Sequence, residues 1–333
     1  MRLTIAEARS LLEASMATID YAPEEAALIA DHLLDCELRG LPIGGVSRAA
    51  SLVDRYRGRT QERQPITVTR ETPFSAVIRG GGHAGPLVAY RAAELAIEKA
   101  KQTKIGVVGA VESVYTGMLS YYMEMATRAN FVAMAAGSSA SWVAPHGGVE
   151  GRFGTNPIAF GFPSAAAPII YDIGTSNIMV ADAVLHERQG LSLPEGMAFD
   201  EDGRPTCDPA EALRGALTVW GGHKGSGLAL VAQLLGMLCG APADPPRRES
   251  GIGFFMLVLD PELLTDAEDF RSRVAAYADW LRTTKPLEAG KPVRVPFDRS
   301  REARTRRLDE GAVEVPDVVY EALVRATRTD TVA

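Results

Sequence analysis

Two glycine-rich stretches of this 333-residue chain have the residue types that hold an anion. The first, Gly80-Gly81-Gly82-His83-Ala84-Gly85, fits G-x-G-x-x-G between a predicted strand and a predicted helix, with Glu112 after the next strand. A dinucleotide-binding turn uses such glycines so that backbone amides reach a pyrophosphate at a helix N-terminus, while an acid takes the ribose. Glycine is abundant here, at 32 residues, and a plain tight turn into the helix accounts for the pattern equally well. The second stretch puts Gly154-Thr155-Asn156-Pro157 ahead of a strand and Asp172-Ile173-Gly174-Thr175-Ser176 at the end of another. Small residues and hydroxyls at such a terminus expose backbone amides to carboxylate or phosphate oxygens. His223-Lys224-Gly225 opens a further glycine-rich segment, where the histidine either meets a ligand or caps a helix and the lysine meets a ligand or solvent. His146, in Pro145-His146-Gly147-Gly148, lies close in sequence to the 154–157 turn and is a candidate acid. His32, on an amphipathic helix, and His186, in a polar loop, read as structural or exposed.

These groups need strand ends and helix starts to hold them. Residues 4–58 read as helical: Thr4 caps a segment with Ile5, Ala8, Leu11 and Leu12 on one face, Pro23 opens a second that runs to Gly40, and Val46–Tyr56 form a third. The polar, proline-bearing stretch at 60–73 marks a boundary. Residues 1–72 are expected to form a helical unit packed with 285–333, leaving 73–284 as an α/β core. Within that core strands and helices alternate: SAVIR, a helix from Pro86 to about Lys101, IGVVGA, a helix over Leu119–Arg128, FVAMAA, then short strands over Pro157–Phe162 and Pro168–Asp172. Leu191–Pro209 reads as turn-rich surface, HKGSGLALVAQLLGMLCGA as a buried apolar helix, and GFFMLVLD as a strand. A helix over Asp266–Arg282 and a C-terminal pair of helices complete the pass.

Composition narrows the function classes. A net charge of −7, with Lys and Arg scattered among acids, lacks the basic stripe of a nucleic-acid partner. Three distant cysteines, Cys36, Cys207 and Cys239, without CxxC pairing, suit a reducing cytoplasm and argue against structural zinc, and no metal site is expected. The N-terminus has no signal-peptide core, and no apolar run approaches the ~20 residues that span a bilayer, so no membrane association is expected.

The ordered set of motifs, from an N-terminal RGxxxxGVSR through GTNP, DIGTS and AFDEDGRPTCDP to His223-Lys224-Gly225-x-Gly227-Leu228, resembles the malate/L-lactate dehydrogenase family over about residues 4–325. That resemblance implies a mixed-sheet α/β fold distinct from the Rossmann type, with a helical N-terminal unit. It also implies a homodimer, and NADPH or NADH bound in an extended groove with the reacting centre near the subunit boundary. Ser139, Asp172, Ile173, Gly174, Thr175, Ser176, His223, Lys224 and Gly225 then hold the coenzyme. Arg48, Thr155 and Asn156 hold a small carboxylate substrate; GTNP is also an ordinary turn, and the alternative for Arg48, less favoured by the motif, is a surface salt bridge to Asp54 or Glu37.

The chain departs from the family pattern where the proton is handled. The usual D-S-H-G-x-x-R reads Pro42-Ile43-Gly44-Gly45-Val46-Ser47-Arg48, which puts Gly44 where the proton-donating histidine is expected. The S-N-H-x-G histidine is replaced by Tyr115, and the glycine-lysine after the D-x-A-T-S strand is missing. A guanidinium clamps a planar carboxylate through two parallel hydrogen bonds, so Arg48 can still orient a 2-oxo or 2-imino acid. Ketone reduction needs an acid for the developing alkoxide, whereas a protonated imine brings its own proton. The expected activity is therefore NAD(P)H-dependent reduction of a small cyclic ketimine carboxylate, with Asp172 either placed near the positive charge or capping the segment after it. The alternatives are a 2-oxo/2-hydroxy acid dehydrogenase using Tyr115 or His146 as donor, and a catalytically silent or non-redox homologue. Tyr115 is a weak acid at its ordinary pKa near 10 unless its site tunes it.

Overall fold

The computed structural model describes residues 1–57, 63–244 and 252–328; the first residues of the expected boundary at 60–73 lie outside these. Along the chain the strands are β1 (Arg2–Thr4), β2 (Thr67–Glu71), β3 (Ser75–Arg79), β4 (Ile105–Ser113), β5 (Val132–Gly137), β6 (Ile158–Phe162), β7 (Ile169–Ile173), β8 (Ala198–Phe199), β9 (Pro205–Thr206), β10 (Ala216–Leu217), β11 (Ile252–Leu259) and β12 (Ala312–Glu314). The α-helices are α1 (Ile5–Ala17), α2 (Pro23–Leu38), α3 (Val46–Arg57), α4 (Gly85–Thr103), α5 (Leu119–Arg128), α6 (Val180–Gln189), α7 (Pro209–Arg214), α8 (His223–Leu238), α9 (Ala267–Arg282), α10 (Asp298–Glu310) and α11 (Asp317–Arg328). They fall into two compact units, 1–63 with 276–333 and 64–275.

The first unit joins the chain's two ends. β1 pairs antiparallel with β12, and α1 starts on a reciprocal capping box in which Thr4 and Glu7 satisfy each other's backbone amides. Leu12, Ile29, Leu33, Leu52 and Leu323, from α1, α2, α3 and α11, are fully or almost fully buried. The C-terminal half of α2 is buried on all sides, so its polar groups need partners. Asp35 is held by Arg39 at 2.6 Å and by Arg304 at 2.7 Å. Burial pushes the His32 imidazole down to about 3 against the opposing pull of Asp31, so it stays neutral inside the helix packing.

The second unit is built on a seven-stranded sheet of order β2-β3-β4-β11-β5-β6-β7. Only β3 and β4 run parallel, joined through α4; the other neighbours are antiparallel. Val108, Ala110, Phe254, Met256 and Val258 on the central strands are wholly buried. α4 opens with Pro86 in its first turn and presents a stripe of alanines to the sheet. The approach is so close that a Cβ on Gly106 would sit 1.9 Å from the Ala96 carbonyl oxygen.

The same closeness explains the Gly80–Gly85 turn. Gly80, Gly82 and Gly85 donate their amides to the carbonyls of Val111, Glu112 and Val114, and a Cβ on Gly85 would meet the Tyr115 carbonyl oxygen at 2.0 Å. Glu112 is paired with Arg79. The amides that a pyrophosphate would need are used inside the fold, and the turn is a packing device.

Four local expectations are corrected. Thr67–Glu71, inside the expected linker, form an edge strand exposed at every residue, which leaves no alternation to read. His186 lies on α6 and not in a loop, its Nδ1 beside the Asp182 carbonyl at 2.8 Å. Leu191–Pro209 is not simply surface, because Leu193 and Ala198 are buried in a cluster with Val143, Ala183, Ala212 and Leu217. The apolar helix α8 is buried on one face only: Ala229, Ala232 and Gly236 pack inward, while Leu228, Leu230, Val231, Leu234 and Leu238 are 39 to 73% exposed.

Candidate active site

The second unit gathers most of the predicted site residues by backbone hydrogen bonds. The Thr155 carbonyl accepts from the Thr175 amide at 2.9 Å and from its hydroxyl at 3.0 Å. The Thr175 carbonyl accepts from the Trp220 amide at 2.8 Å, and Ser176 bridges to Val219. Three stretches far apart in sequence, 154–157, 174–177 and 218–220, therefore lie side by side. Ser139 joins them, its amide donating to Asn156 Oδ1 at 3.1 Å.

Asn156 is the bolt of this assembly. It is fully buried with a left-handed φ of +33°, and its Nδ2 donates to the Ala229 carbonyl at 2.9 Å and to Gln233 Oε1 at 3.1 Å. Its amide group thus ties the 154–157 turn to the end of β5 and to α8. Gln233 was missed from sequence; its signal was a lone amide in an otherwise apolar helical run, since a buried polar side chain requires a partner.

The start of α8 has the features of an anion site. Gly221 and Gly222 take left-handed φ values of +61° and +60°, which only glycine adopts at low cost, and no side chain caps the helix. His223 is the first helical residue, so it is not the cap. A Cβ on Gly225 would lie 1.7 Å from the Trp220 carbonyl oxygen, so glycine is what lets the turn close against the helix. His146 is brought here from far away: its ring centre is 6.2 Å from that of His223, and its amide donates to Ser226 Oγ at 3.2 Å. His146, His223 and Lys224 are all exposed around the uncapped first turn, where positive charge and free amides favour an anion.

Tyr115 and Asp172 flank the start of α5. Glu112 and Tyr115 have φ of +60° and +61°, followed by Gly117 at +83°, so strained backbone is concentrated at the end of β4 and just beyond it. Asp172 accepts the Ser120 amide at 2.7 Å, supplying the cap that Met118 does not. The segment it caps is therefore α5, and not the one that follows it. Burial pushes the Asp172 carboxyl up to about 6, opposed by hydrogen bonds from Ser120 and the Leu119 amide.

A folded-state pKa above the unfolded value means that the native state holds the proton more tightly. The associated stability is present below about 4 and is lost as pH rises through about 6. Asp172→Asn, which keeps an acceptor for Ser120, should flatten this slope in urea melts between pH 4 and 7. Asp172→Ala should cost about 1 kcal/mol through the lost cap.

Arg48 belongs to the other unit, in the first turn of α3, partly exposed. Gly44 is buried in the 3₁₀ turn Pro42–Gly44 just before it. Among the described residues no group of three or more His, Cys, Asp or Glu side chains is placed to hold a metal ion.

A mostly antiparallel seven-stranded α/β sheet, with an uncapped helix start reached through a left-handed glycine pair, defines an α/β protein outside the Rossmann class. Residues 3–324 match the malate/L-lactate dehydrogenase family, and the chain belongs to that family. It is 32% identical over 323 residues to L-sulfolactate dehydrogenase of Methanothermobacter thermautotrophicus, covering 94% of this chain and 95% of that protein. It is 36% identical over 240 residues to the Delta(1)-pyrroline-2-carboxylate/Delta(1)-piperideine-2-carboxylate reductase of Pseudomonas aeruginosa, covering 68% and 70%. Among solved structures, a dehydrogenase from Sinorhizobium meliloti superposes with a TM-score of 0.90 at 31% identity, covering 98% of each chain. The family and these relatives are dehydrogenases and reductases, so the chain is an oxidoreductase, and a nicotinamide coenzyme is what its family implies.

Proposed function

We propose that this protein reduces a small cyclic 2-imino carboxylate to the corresponding amino acid with NADPH or NADH. The observation that carries the reading is Arg48 together with Gly44: the arginine read as the carboxylate clamp is kept, while position 44, four residues before it, has no side chain to give a proton. The similarity to pyrroline-2-carboxylate reductases supports the same substrate class.

The uncapped first turn of α8 fits an anionic coenzyme, with Gly221, Gly222, His223, Lys224 and Gly225 as the residues that would hold it. Thr175, wholly buried with its hydroxyl bonded to the Thr155 and Asn156 carbonyls, would act only by holding the neighbouring turns in place. When bound, the reduced nicotinamide supplies a hydride. Arg48 binds and orients the substrate carboxylate by a bidentate pair, and the imine nitrogen arrives already protonated, so no side chain has to deliver that proton. Asp172, engaged with the Ser120 amide, serves this scheme by fixing α5 and the Tyr115 turn.

Purified protein with NADPH should turn over pyrroline- or piperideine-2-carboxylate with a kcat/KM about 10²-fold above pyruvate or oxaloacetate, the usual worth of a general acid. Ketone turnover equal to or faster than imine turnover would overturn the reading. A second reading, a 2-oxo acid reductase, draws on the exposed His146 beside His223. In that case His146→Ala would abolish ketone turnover.

The protein acts in this reading as a cytoplasmic homodimer. Three free cysteines fit a reducing compartment, and no described helix is long and apolar enough to cross a membrane. The outer face of α8 has no charged residue from Gly225 to Leu238 and exposes five large aliphatic side chains, a patch that favours a self-complementary partner face. Leu234→Glu should therefore shift the protein to monomers in sedimentation, and an unchanged dimer would place the interface elsewhere.

A further inference from the structure

Glu37 stands outside every motif used so far. It lies near the C-terminal end of α2, is only 4% exposed, and has a carboxylate aimed at the start of α3. Its Oε1 accepts the Val46 amide at 2.9 Å, supplying the cap of the helix that carries Arg48. The Gly45 carbonyl accepts the amides of Arg48, at 2.9 Å, and Ala49, at 3.3 Å, so Gly45 and Val46 together set where the first turn of α3 begins.

The turn is laid directly over the Glu37 side chain. A Cβ on Gly45 would come within 2.5 Å of Glu37 Oε1 and 2.6 Å of its Cγ, so glycine at 45 is the condition for the carboxylate to reach Val46. The cation that interacts with this carboxylate is Arg307 on α10, itself anchored on the Leu38 carbonyl at 3.0 Å. The neighbouring Asp35 is already paired with Arg39 and Arg304. A buried acid is costly, and burial pushes this one up to about 7. A helix start can be capped by an exposed Ser, Thr or Asn at far lower cost. What the buried, rigidly packed acceptor adds is a fixed backbone two residues before the guanidinium.

We infer that Glu37 is a positioning residue for substrate binding: through Val46 and Gly45 it sets the first turn of α3 and so aims Arg48 at the substrate carboxylate. The inference rests on the reading of Arg48 as the carboxylate clamp. It assigns Glu37 no contact with substrate or coenzyme.

The test compares steady-state kinetics of Glu37→Leu, Glu37→Gln and Arg48→Ala with pyrroline-2-carboxylate, alongside calorimetric titration with NADPH. Glu37→Leu should raise KM for the imino acid about tenfold, as expected for a clamp displaced by less than 1 Å, with NADPH affinity unchanged within about twofold. Glu37→Gln, which keeps an acceptor for Val46, should recover most of the loss. If Glu37→Leu fails to fold, Gly45→Ala takes its place, because the added Cβ occupies the space through which the Glu37 side chain reaches Val46 and so breaks the same contact. Unchanged KM in the folded variant, or an equal loss of NADPH affinity, overturns the inference. If Arg48→Ala raises KM and the Glu37 and Gly45 variants do not, only the role of Glu37 falls. If Arg48→Ala itself leaves KM unchanged, the clamp reading falls and this inference falls with it.

Discussion

Arg48→Ala is expected to lower kcat/KM for a cyclic imino carboxylate by about 10²- to 10³-fold, with coenzyme affinity within about twofold of the parent. A carboxylate bound by a guanidinium fork receives two charge-assisted hydrogen bonds in one plane, and these fix the orientation of the reacting carbon as well as the affinity. Alanine removes both, and water in the vacated space restores neither the charge nor the geometry. Arg48→Lys separates the two contributions: the charge remains, but a point-like ammonium cannot reproduce the planar fork. Its kcat/KM should therefore lie between those of the parent and the alanine variant. Kinetics at saturating NADPH, with calorimetric NADPH titration of the same preparations, checks both variants. If Arg48→Ala impaired coenzyme and substrate binding equally, the selective clamp would be ruled out.

Gly225→Ala is expected to be the most damaging single methyl group in the second unit's site. The added Cβ would sit 1.7 Å from the Trp220 carbonyl oxygen and 2.8 Å from its carbon, and both are backbone atoms that cannot swing aside. Either the Gly221–Gly222 turn or the first turn of α8 has to move. That movement strains the hydrogen bond from the Trp220 amide to the Thr175 carbonyl, a tie that holds 218–220 against 174–177. A stability loss of roughly 2–4 kcal/mol follows from such overpacking, together with at least about tenfold weaker NADPH binding in the folded fraction. Gly227→Ala, two residues on, is the control. Nothing lies within 4 Å of its would-be Cβ, and alanine in place of glycine in a helix should stabilise by about 0.5–1 kcal/mol. Thermal melts of the two variants, moving in opposite directions from the parent, would separate a local steric requirement from a general glycine effect.

Much of the scaffold was legible because its signals are local. Pro23 and Pro86 mark the first turns of α2 and α4, Thr4 caps α1, and the runs IGVVGA and GFFMLVLD announce the strands β4 and β11. What stayed hidden depends on partners far away in sequence. Asp172 caps a helix 52 residues earlier in the chain, and His146 meets His223 only because the 143–153 bridge and α8 converge. Asn156 was read as a ligand donor, whereas its amide is bonded to Ala229 and Gln233, positions that no periodicity links to it. The exposed outer face of α8 was misread for a related reason. An apolar composition states that a face must be covered, not whether this chain or another covers it.

The central claim is that the protein grips a planar carboxylate with Arg48 and a reduced pyridine nucleotide at the glycine turn of α8. A crystal structure of the protein with NADPH and pyrrole-2-carboxylate, a flat mimic of a cyclic imino acid, tests it most directly. The account predicts the carboxylate in a two-point contact with the Arg48 guanidinium and the nucleotide held by residues 221–225. A carboxylate bound away from Arg48, or a nucleotide seated away from the α8 turn, would contradict it.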